Sequence, residues 1–227
     1  MHDLAQIAFF ERLTKEELSN LQALTQRKKY PAGTAVFFQD DPSDSMYLLL
    51  EGSAKVYQTS EDGKDRILKI LKPGEAFGDL AMIEGRLRSA SVQTLEDSEM
   101  LTLARADFQA FGDSHPAVLW ELLATFAERL RLMNESILDL SFRDVPYRLL
   151  RVLQELVSHH GQGGPEGWRI WLPLTVRDLS SMVGANVETV GRLLDRYESD
   201  GLLKRDASHW IVPDPKALTR ALENAAQ

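Results

Sequence analysis

Residues 174–201 read LTVRDLSSMVGANVETVGRLLDRYESDG, and this stretch decides the fold of the C-terminal part of the chain. Thr175 precedes Asp178 by three residues, a spacing typical of a capped helix N-terminus. Gly184 suits a left-handed helix end, and Asn186 suits the N-cap of a following helix. Two short helices joined by three residues are typical of a helix-turn-helix that reads DNA.

The second of these helices is predicted over about 187–199, with one apolar and one polar face. The apolar face carries Val190, Leu193, Leu194 and Tyr197, and the opposite face carries Val187, Glu188, Thr189, Gly191 and Arg192. Arg192 can donate a bidentate pair to guanine, and Glu188 can accept from cytosine. Thr189 can hold a phosphate, and Thr175 completes the predicted DNA-contacting set. The competing interpretation is an ordinary helical hairpin, with Glu188 and Arg192 as a surface ion pair.

The residues on either side extend this pattern. Residues 202–204 and 209–212 predict a small β wing. Upstream, Asp144 and Pro146 suit the start of a helix over about 146–159, and we place a domain boundary there. We interpret His159 and His160 as a solvated helix end rather than metal ligands, and the glycine-rich residues 161–167 as an exposed, mobile loop.

A single long helix is predicted over about 116–140. Its apolar residues follow strict 4-3-4-3-4-3 spacing, namely Leu119, Leu123, Phe126, Leu130, Met133, Ile137 and Leu140. Such a narrow heptad seam favours a two-stranded coiled coil, and therefore a homodimer. The alternative is a helix that packs only on its own domain.

The first part of the chain is predicted to be mainly β structure. Residues 7–30 open with a helical pattern, in which Thr14 and Glu17 have capping-box spacing. From about 35 to 103, short apolar stretches alternate with turn residues, which indicates a β sandwich or barrel.

Composition limits the function. The 227 residues are 44% hydrophobic and include no Cys, which excludes disulfides, thiol nucleophiles and cysteine-bound iron–sulfur clusters. We find no metal-ligand spacing and no nucleophile–base set, so we do not expect an enzyme. No apolar run approaches the roughly 20 residues that span a bilayer, and the N-terminus lacks signal-peptide features. We therefore expect a cytoplasmic protein with no membrane partner.

The net charge of −8 lies entirely in the first part of the chain. Residues 1–144 hold 16 Lys and Arg against 24 Asp and Glu, whereas residues 145–227 hold 10 against 10. The neutral C-terminal part permits DNA binding without arguing strongly for it.

Two motifs in this order resemble the catabolite activator/FNR superfamily of bacterial transcription regulators. One is Phe77-Gly78-Asp79-Leu80-Ala81-Met82 followed by Arg88-Ser89-Ala90, and the other is Val187-Glu188-Thr189-Val190-Gly191-Arg192. The resemblance covers nearly the whole chain. It implies an α+β fold, with a jelly-roll-like cyclic-nucleotide-binding β roll (residues 1–115), a dimerisation helix and hinge (116–144) and a winged helix-turn-helix (145–227).

The resemblance also implies a ligand site around the first motif. In the family, positions matching Gly78 and Asp79 bind the ribose side, and those matching Arg88 and Ser89 bind the cyclic phosphate. We include Leu80, from the same motif, in the predicted site. Glycine lets backbone approach a phosphate, and arginine supplies a bidentate charge. The competing interpretation is a β-roll loop with a structural Arg–Asp pair.

The chain departs from the nucleotide-binding pattern at two places. Asp79 stands where these members usually have Glu, so its carboxylate has a shorter reach. The positions that face adenine in the family correspond here to Met133, which lies on the seam, and Asn134, which can hydrogen-bond the base, including across a dimer. Cyclic AMP is the first ligand we expect; another nucleotide, or none, is the alternative.

For the DNA site, the resemblance implies a palindrome. The family's half-sites share the core TGA, and we expect Glu188 and Arg192 to read its G·C pair. Val187 cannot hydrogen-bond a guanine but can contact a thymine methyl, so we predict weak preference at the outer G. We also expect RNA polymerase as a partner. The alternatives are a ligand-independent regulator of the same fold and a nucleotide-binding signalling adaptor that does not touch DNA.

Overall fold

The computed structural model describes residues 4, 7, 10, 13–206 and 209–225. Internal contacts divide the chain into two compact units, residues 1–132 and residues 133–227. The division falls inside one long helix, whereas our predicted boundary at residue 145 follows the break between two helices.

The first unit is a β roll flanked by helices. Its elements are α1 (Lys15–Ala23), β1 (Thr25–Tyr30), β2 (Ala35–Phe37), β3 (Ser45–Glu51), β4 (Ala54–Thr59), β5 (Asp65–Leu71), β6 (Ala76–Phe77), α2 (Asp79–Glu84), β7 (Ser91–Thr94), β8 (Ser98–Ala104), α3 (Arg105–Ser114) and the start of α4 (Pro116–Phe142). The strands form two antiparallel four-stranded sheets, in the orders β1-β8-β3-β6 and β2-β7-β4-β5. This arrangement confirms the predicted β domain.

Two apolar clusters fill the first unit. One includes Leu21 of α1, Leu48 of β3, Phe108 of α3 and Leu122 of α4, so the helices share a core with one sheet. The other cluster is formed by residues of both sheets. It includes Tyr47, which pairs with Phe77 in the β3–β6 register. The second cluster places aromatic rings directly beside the predicted phosphate motif.

The second unit has the architecture of a winged helix-turn-helix. After the end of α4 come α5 (Val145–His160), β9 (Gly161–Gly164), β10 (Gly167–Ile170), α6 (Val176–Val183), α7 (Val187–Ser199), β11 (Lys204–Asp206), β12 (His209–Val212) and α8 (Pro215–Ala225). The strands form one antiparallel sheet in the order β11-β12-β10-β9. Together with the first unit, this confirms the predicted α+β fold class.

Several local predictions are confirmed by hydrogen bonds. The Thr14–Glu17 capping box begins α1, and the Asp144 side chain accepts from the Tyr147 N–H at the start of α5. The predicted seam residues all lie on α4. Leu119, Leu123, Leu130, Met133, Ile137 and Leu140 are between 39% and 60% exposed, so the described residues of the single chain leave much of this apolar stripe uncovered.

Three predictions differ from the structure. Residues 161–167, predicted as a loop, form β9, the turn of a hairpin and the first residue of β10, because the two strands supply each other with hydrogen-bond partners that sequence alone did not reveal. The helical pattern that opens residues 7–30 corresponds to α1, which ends at Ala23, and residues 25–30, for which no strand was predicted, form β1 against β8. Residues 202 and 203 precede the first wing strand rather than forming part of it.

Candidate functional site

The phosphate motif lies where the short strand β6 passes into α2. Gly78 has a φ of 74° and caps α2, a left-handed conformation that favours glycine. A Cβ at this position would lie 2.5 Å from Nη1 of Arg88. Gly78 is therefore required both for the backbone turn and for the close approach of the Arg88 guanidinium.

Arg88 lies inside the roll, only 4% exposed. Its Nη1 donates to the Gly78 carbonyl at 2.9 Å, and its guanidinium lies over the rings of Phe37 at 4.2 Å and Tyr47 at 5.5 Å. Tyr47 in turn stacks on Phe77, with ring centroids 5.2 Å apart. We call Phe37 and Tyr47 the aromatic cage of Arg88, and Phe77 packs against both of these rings.

The charge of Arg88 is poorly compensated by direct contacts. Burial lowers the pKa of its guanidinium, and the nearby Tyr47, Asp44 and Asp41 oppose that shift. Its Nε is buried and has no hydrogen-bond partner, and among the described residues no carboxylate forms an ion pair with it. A buried guanidinium with an N–H that has no partner can bind an anion, because a buried charge is costly unless it is paired.

Asp79 is engaged by the long helix rather than by Arg88. It is 3% exposed, and its Oδ2 accepts from Nη1 of Arg129 at 2.8 Å. Nη2 of Arg129 also donates to the Ala76 carbonyl at 3.1 Å. An Arg–Asp pair is thus present in this loop, but its arginine is Arg129 of α4 rather than Arg88. The signal in the sequence for this pair was a basic residue, Arg129, one position before the seam residue Leu130.

The remaining predicted ligand contacts are less enclosed. Leu80 is 45% exposed, and its N–H donates to Oδ1 of Asp79 at 3.1 Å. Ser89 is exposed, and its carbonyl accepts from Nε2 of Gln58 at 2.8 Å. Met133 and Asn134 are both exposed on α4 and belong to the second compact unit. Their role next to a base remains a prediction.

The helix-turn-helix has the predicted caps. The side chain of Thr175 accepts from the N–H of Asp178, and the two residues form a full capping box at the start of α6. Gly184 ends α6 with a φ of 70°, and the Asn186 side chain accepts from the Thr189 N–H at 2.7 Å. These bonds fix the turn between α6 and α7.

The predicted DNA-reading residues lie on the exposed side of α7. Val187 is 47% exposed, while the side chains of Glu188 and Arg192 are 81% and 72% exposed and lie 3.6 Å apart. Val190, Leu194 and Tyr197 are buried on the other side. The Glu188–Arg192 pair is too exposed to contribute much stability, and both side chains are accessible to a DNA groove.

The wing and helix α5 hold α7 in place. Arg205 of β11 pairs with Asp195 at 2.5 Å and with Glu198 at 3.1 Å, and it lies over the Trp210 ring. On the other side, the Tyr197 hydroxyl donates to the Pro146 carbonyl at 3.1 Å. Helix α7 is therefore tied to the wing by ion pairs and to the start of α5 by a hydrogen bond.

An ion-pair cluster joins the end of α4 to α5. Arg151 contacts Glu135 and Asp139, each at 2.7 Å, and Glu155 at 3.3 Å. Burial disfavours its charged form, yet the hydrogen bond to Glu135 and the charges of Asp139 and Glu155 raise the pKa of Arg151 above its ordinary value. We call this group the Arg151 clamp, because one side chain bridges two helices across the break at Asp144.

The described residues offer neither a metal-binding cluster nor a membrane-spanning helix. Among the described residues, no group of three or more His, Asp or Glu side chains could hold a metal ion. Within the same residues, no helix has both the length and the apolar character that a membrane crossing requires.

Comparison with known protein families agrees with this architecture. The cyclic nucleotide-binding domain matches residues 27–115, and the Crp-like helix-turn-helix domain matches residues 147–221. These two matches define the class: a transcription regulator with a cyclic-nucleotide-binding domain and a DNA-binding helix-turn-helix.

Similar proteins identify the family. The cyclic AMP receptor protein of Thermus thermophilus is 32% identical over 195 residues, which cover 86% of this chain and 87% of that protein. The CRP-like cAMP-activated global transcriptional regulator of Mycobacterium tuberculosis is 27% identical over 217 residues, covering 96% and 97%. The chain belongs to the CRP/FNR family of transcription regulators.

Solved structures share the fold. The Thermus thermophilus catabolite activator protein superposes with a TM-score of 0.56 at 28% identity, covering 96% of this chain and 99% of that one. The regulator CLP of Xanthomonas campestris, described as c-di-GMP responsive, has a TM-score of 0.78 at 24% identity, covering 88% and 100%. At that identity, the likeness to CLP shows the fold alone.

Proposed function

We propose that this chain is a homodimeric regulator whose β roll binds a cyclic nucleotide and whose helix-turn-helix then binds a palindromic DNA site. The observation that carries the proposal is the buried Arg88 guanidinium, which has an open Nε beside the Gly78 turn. The cage rings offset part of the cost of burying this charge through cation–π contact. A cyclic phosphate would supply the missing negative charge.

Cyclic AMP is the first ligand we propose, because relatives from Thermus thermophilus and Mycobacterium tuberculosis are named for it. Arg88 and Ser89 would hold the phosphate, and Gly78, Asp79 and Leu80 would lie on the ribose side. Met133 and Asn134 would contribute from the long helix. Since Asp79 is already held by Arg129, ribose binding would add a partner to that pair rather than find a free carboxylate.

On DNA, we propose that Glu188 and Arg192 read the G·C pair of a TGA core in each half-site. Their exposure at the start of α7 supports this assignment, and Thr175 and Thr189 lie at the two helix starts where phosphate contacts are expected. The exposed seam of α4 supports a parallel dimer, which would place two recognition helices about one DNA turn apart. The β9–β10 hairpin is the surface we propose for RNA polymerase.

One observation favours a second candidate, a ligand-independent regulator of the same fold. Arg88 already occupies its aromatic cage, and Asp79 already has a cationic partner, so the loop is held by its own contacts. In that case the β roll would be a structural domain, and regulation would act through the amount of protein.

Isothermal calorimetry with cyclic AMP distinguishes the two candidates. We expect the wild type to bind, Arg88→Gln to lose binding, and Arg86→Gln to retain it, since Arg86 is exposed and pairs only with Glu84 among the contacts described. No heat from a wild-type protein that still binds a TGA palindrome would support the ligand-independent regulator instead.

Binding-site selection tests the DNA assignment. Glu188→Ala and Arg192→Ala should each cost about 1–3 kcal/mol in specific binding and relax the preference for TGA. Arg196→Ala is the matched control, because Arg196 forms an exposed pair of the same spacing with Asp200 on the same helix. Unchanged sequence preference in both variants would refute the assignment, and selected sites that require the outer G would refute the proposed role of Val187.

A further inference from the structure

The first unit has an apolar groove of about 300 Å³ between α2, α3 and α4. Its walls include Ile83 of α2, Phe108 of α3 and, from α4, Leu119, Leu122, Leu123 and Phe126. The polar side chains of Gln109 and Asp113 lie at the same groove. Ile83, Leu119 and Leu123 are 38%, 39% and 54% exposed, so much of this apolar lining faces outward in the single chain.

The groove is continuous with the heptad seam of α4. Leu119, Leu123 and Phe126 belong to both, so a second helix that covers the seam must also pass along the groove. The groove therefore lies at the flank of the proposed dimer interface, and the inference that follows rests on that proposed dimer.

Trp120 lies on the opposite flank of the same helix. It is 73% exposed, a large apolar side chain left uncovered beside the seam. A helix turns about 100° per residue, so Trp120 projects about 100° to one side of Leu119, whereas Leu122 projects about 60° to the other side. Trp120 therefore cannot enter the groove of its own chain.

We propose that Trp120 of the partner subunit fills this groove when two copies pair in parallel. In a parallel coiled coil, the flank that carries Trp120 on one helix faces the opposite flank of its partner, here the flank of Leu122. By the two-fold symmetry, each subunit gives one indole and receives one. A buried indole N–H needs an acceptor, and Asp113 and Gln109 supply carboxylate and amide oxygens at the groove.

The contact would connect the dimer interface to the ligand-binding loop. Ile83 lies on α2, whose first residue is Asp79 and whose cap is Gly78. A change in the loop that moved α2 would therefore change the fit of the partner subunit's Trp120. This gives the proposed ligand a route to the coiled coil that needs no contact between the ligand and the partner.

The absence of Cys makes chemical cross-linking a direct test. Full-length chains carrying Trp120→Cys and size-tagged chains carrying Ile83→Cys would be mixed, exchanged into heterodimers and treated with a short bismaleimide. We expect a heterodimeric product. Leu132→Cys replaces Trp120→Cys in the control, because Leu132 is 52% exposed on the same helix but away from the seam, and we expect no product from it.

Leu123→Cys alone tests the seam, because the same seam position of two parallel helices meets itself. A product from Leu123→Cys without one from the Trp120→Cys and Ile83→Cys mixture would overturn the groove proposal and leave the parallel dimer standing. No product from either, with a monomer in sedimentation, would overturn the proposed dimer and the groove contact together.

Dimer affinity gives a second readout with the native groove. Trp120→Ala should weaken dimerisation by about 30-fold or more, as expected for a tryptophan anchored in a pocket. Leu132→Ala is the control and should leave the dimer dissociation constant within about threefold. Equal effects of the two substitutions in analytical ultracentrifugation would contradict a specific role for Trp120.

Discussion

The carboxylate of Asp79 and the guanidinium of Arg129 lie 2.8 Å apart, although 50 residues separate them in the chain. Asp79 is the first residue of α2, and Arg129 lies on α4. The pair therefore joins the loop that we propose to hold the ligand to the helix that we propose to form the dimer. Because the Asp79 side chain is 4% exposed, it depends on this partner.

Removing Arg129 should expose that dependence. Arg129→Gln leaves the Asp79 carboxylate buried without a cation, and we expect a loss of about 2 kcal/mol in the free energy of unfolding, less than for a fully buried pair because Arg129 is 31% exposed. Urea denaturation measures the loss. Arg131→Gln, which breaks an exposed pair with Glu128, should cost no more than about 0.5 kcal/mol. Similar losses in both variants would show that the Asp79 pair is no stronger than a surface pair.

Two glycines with nearly the same φ distinguish the effect of backbone strain on stability from the effect of a substitution on ligand binding. Gly78 and Gly63 have φ values of 74° and 73°, but a Cβ at Gly63 meets no atom within 4 Å, whereas one at Gly78 meets Arg88. Both substitutions to Ala should therefore destabilise the chain by about 1 kcal/mol. Only Gly78→Ala should also displace the Arg88 guanidinium and weaken cyclic AMP binding by about tenfold in calorimetry. Equal ligand affinity in the two variants would argue against Arg88 as the phosphate ligand.

The Arg151 clamp should respond to salt. Arg151 is 25% exposed and contacts three carboxylates, so Arg151→Gln should cost about 1–2 kcal/mol of stability at low ionic strength and less as salt rises. Since the clamp fixes the end of α4 against α5, the substitution should also weaken specific DNA binding. Arg220→Gln breaks an exposed pair with Asp214 and serves as the control. A salt-independent loss would mean that Arg151 acts through packing rather than charge.

Alkaline pH should weaken the attachment of the recognition helix. Burial raises the pKa of Tyr197 to about 12, from an ordinary value of about 10. The folded state therefore favours the neutral phenol, and the stability gained is complete below about pH 10 and is lost as pH rises towards 12. Tyr30 shows a similar rise to about 12, so it contributes in the same direction.

Tyr197→Phe isolates the Tyr197 contribution. The variant loses the hydrogen bond to the Pro146 carbonyl and should be about 1 kcal/mol less stable at pH 8. Between pH 10 and 12 its stability should fall less steeply than that of the wild type. In an absorbance titration, the variant should lack one tyrosine that ionises near pH 12. Parallel stability curves for the two proteins would contradict the assignment.

Local sequence patterns predicted the caps of the helix-turn-helix, α6 and α7, well. The Thr175–Asp178 and Asn186–Thr189 bonds join residues three apart, so their spacing is visible in the sequence and the structure reproduces it. The heptad seam of α4 is equally local in origin, because helical periodicity alone places its members on one face. By contrast, β1 was missed, since its strand character depends on β8, whose paired residues lie 68 to 78 positions later.

The sequence by itself determined the helix caps, the seam and the residues on the open face of α7, because each of these follows from short spacings that are local or that repeat along one helix. Only the tertiary structure decided that Asp79 pairs with Arg129, that Arg88 lies over the rings of Phe37 and Tyr47, and that residues 161–170 form a hairpin. Those contacts depend on strands and helices brought together by folding. Their energies come from burial and from hydrogen-bond geometry, neither of which is encoded in spacing along the chain.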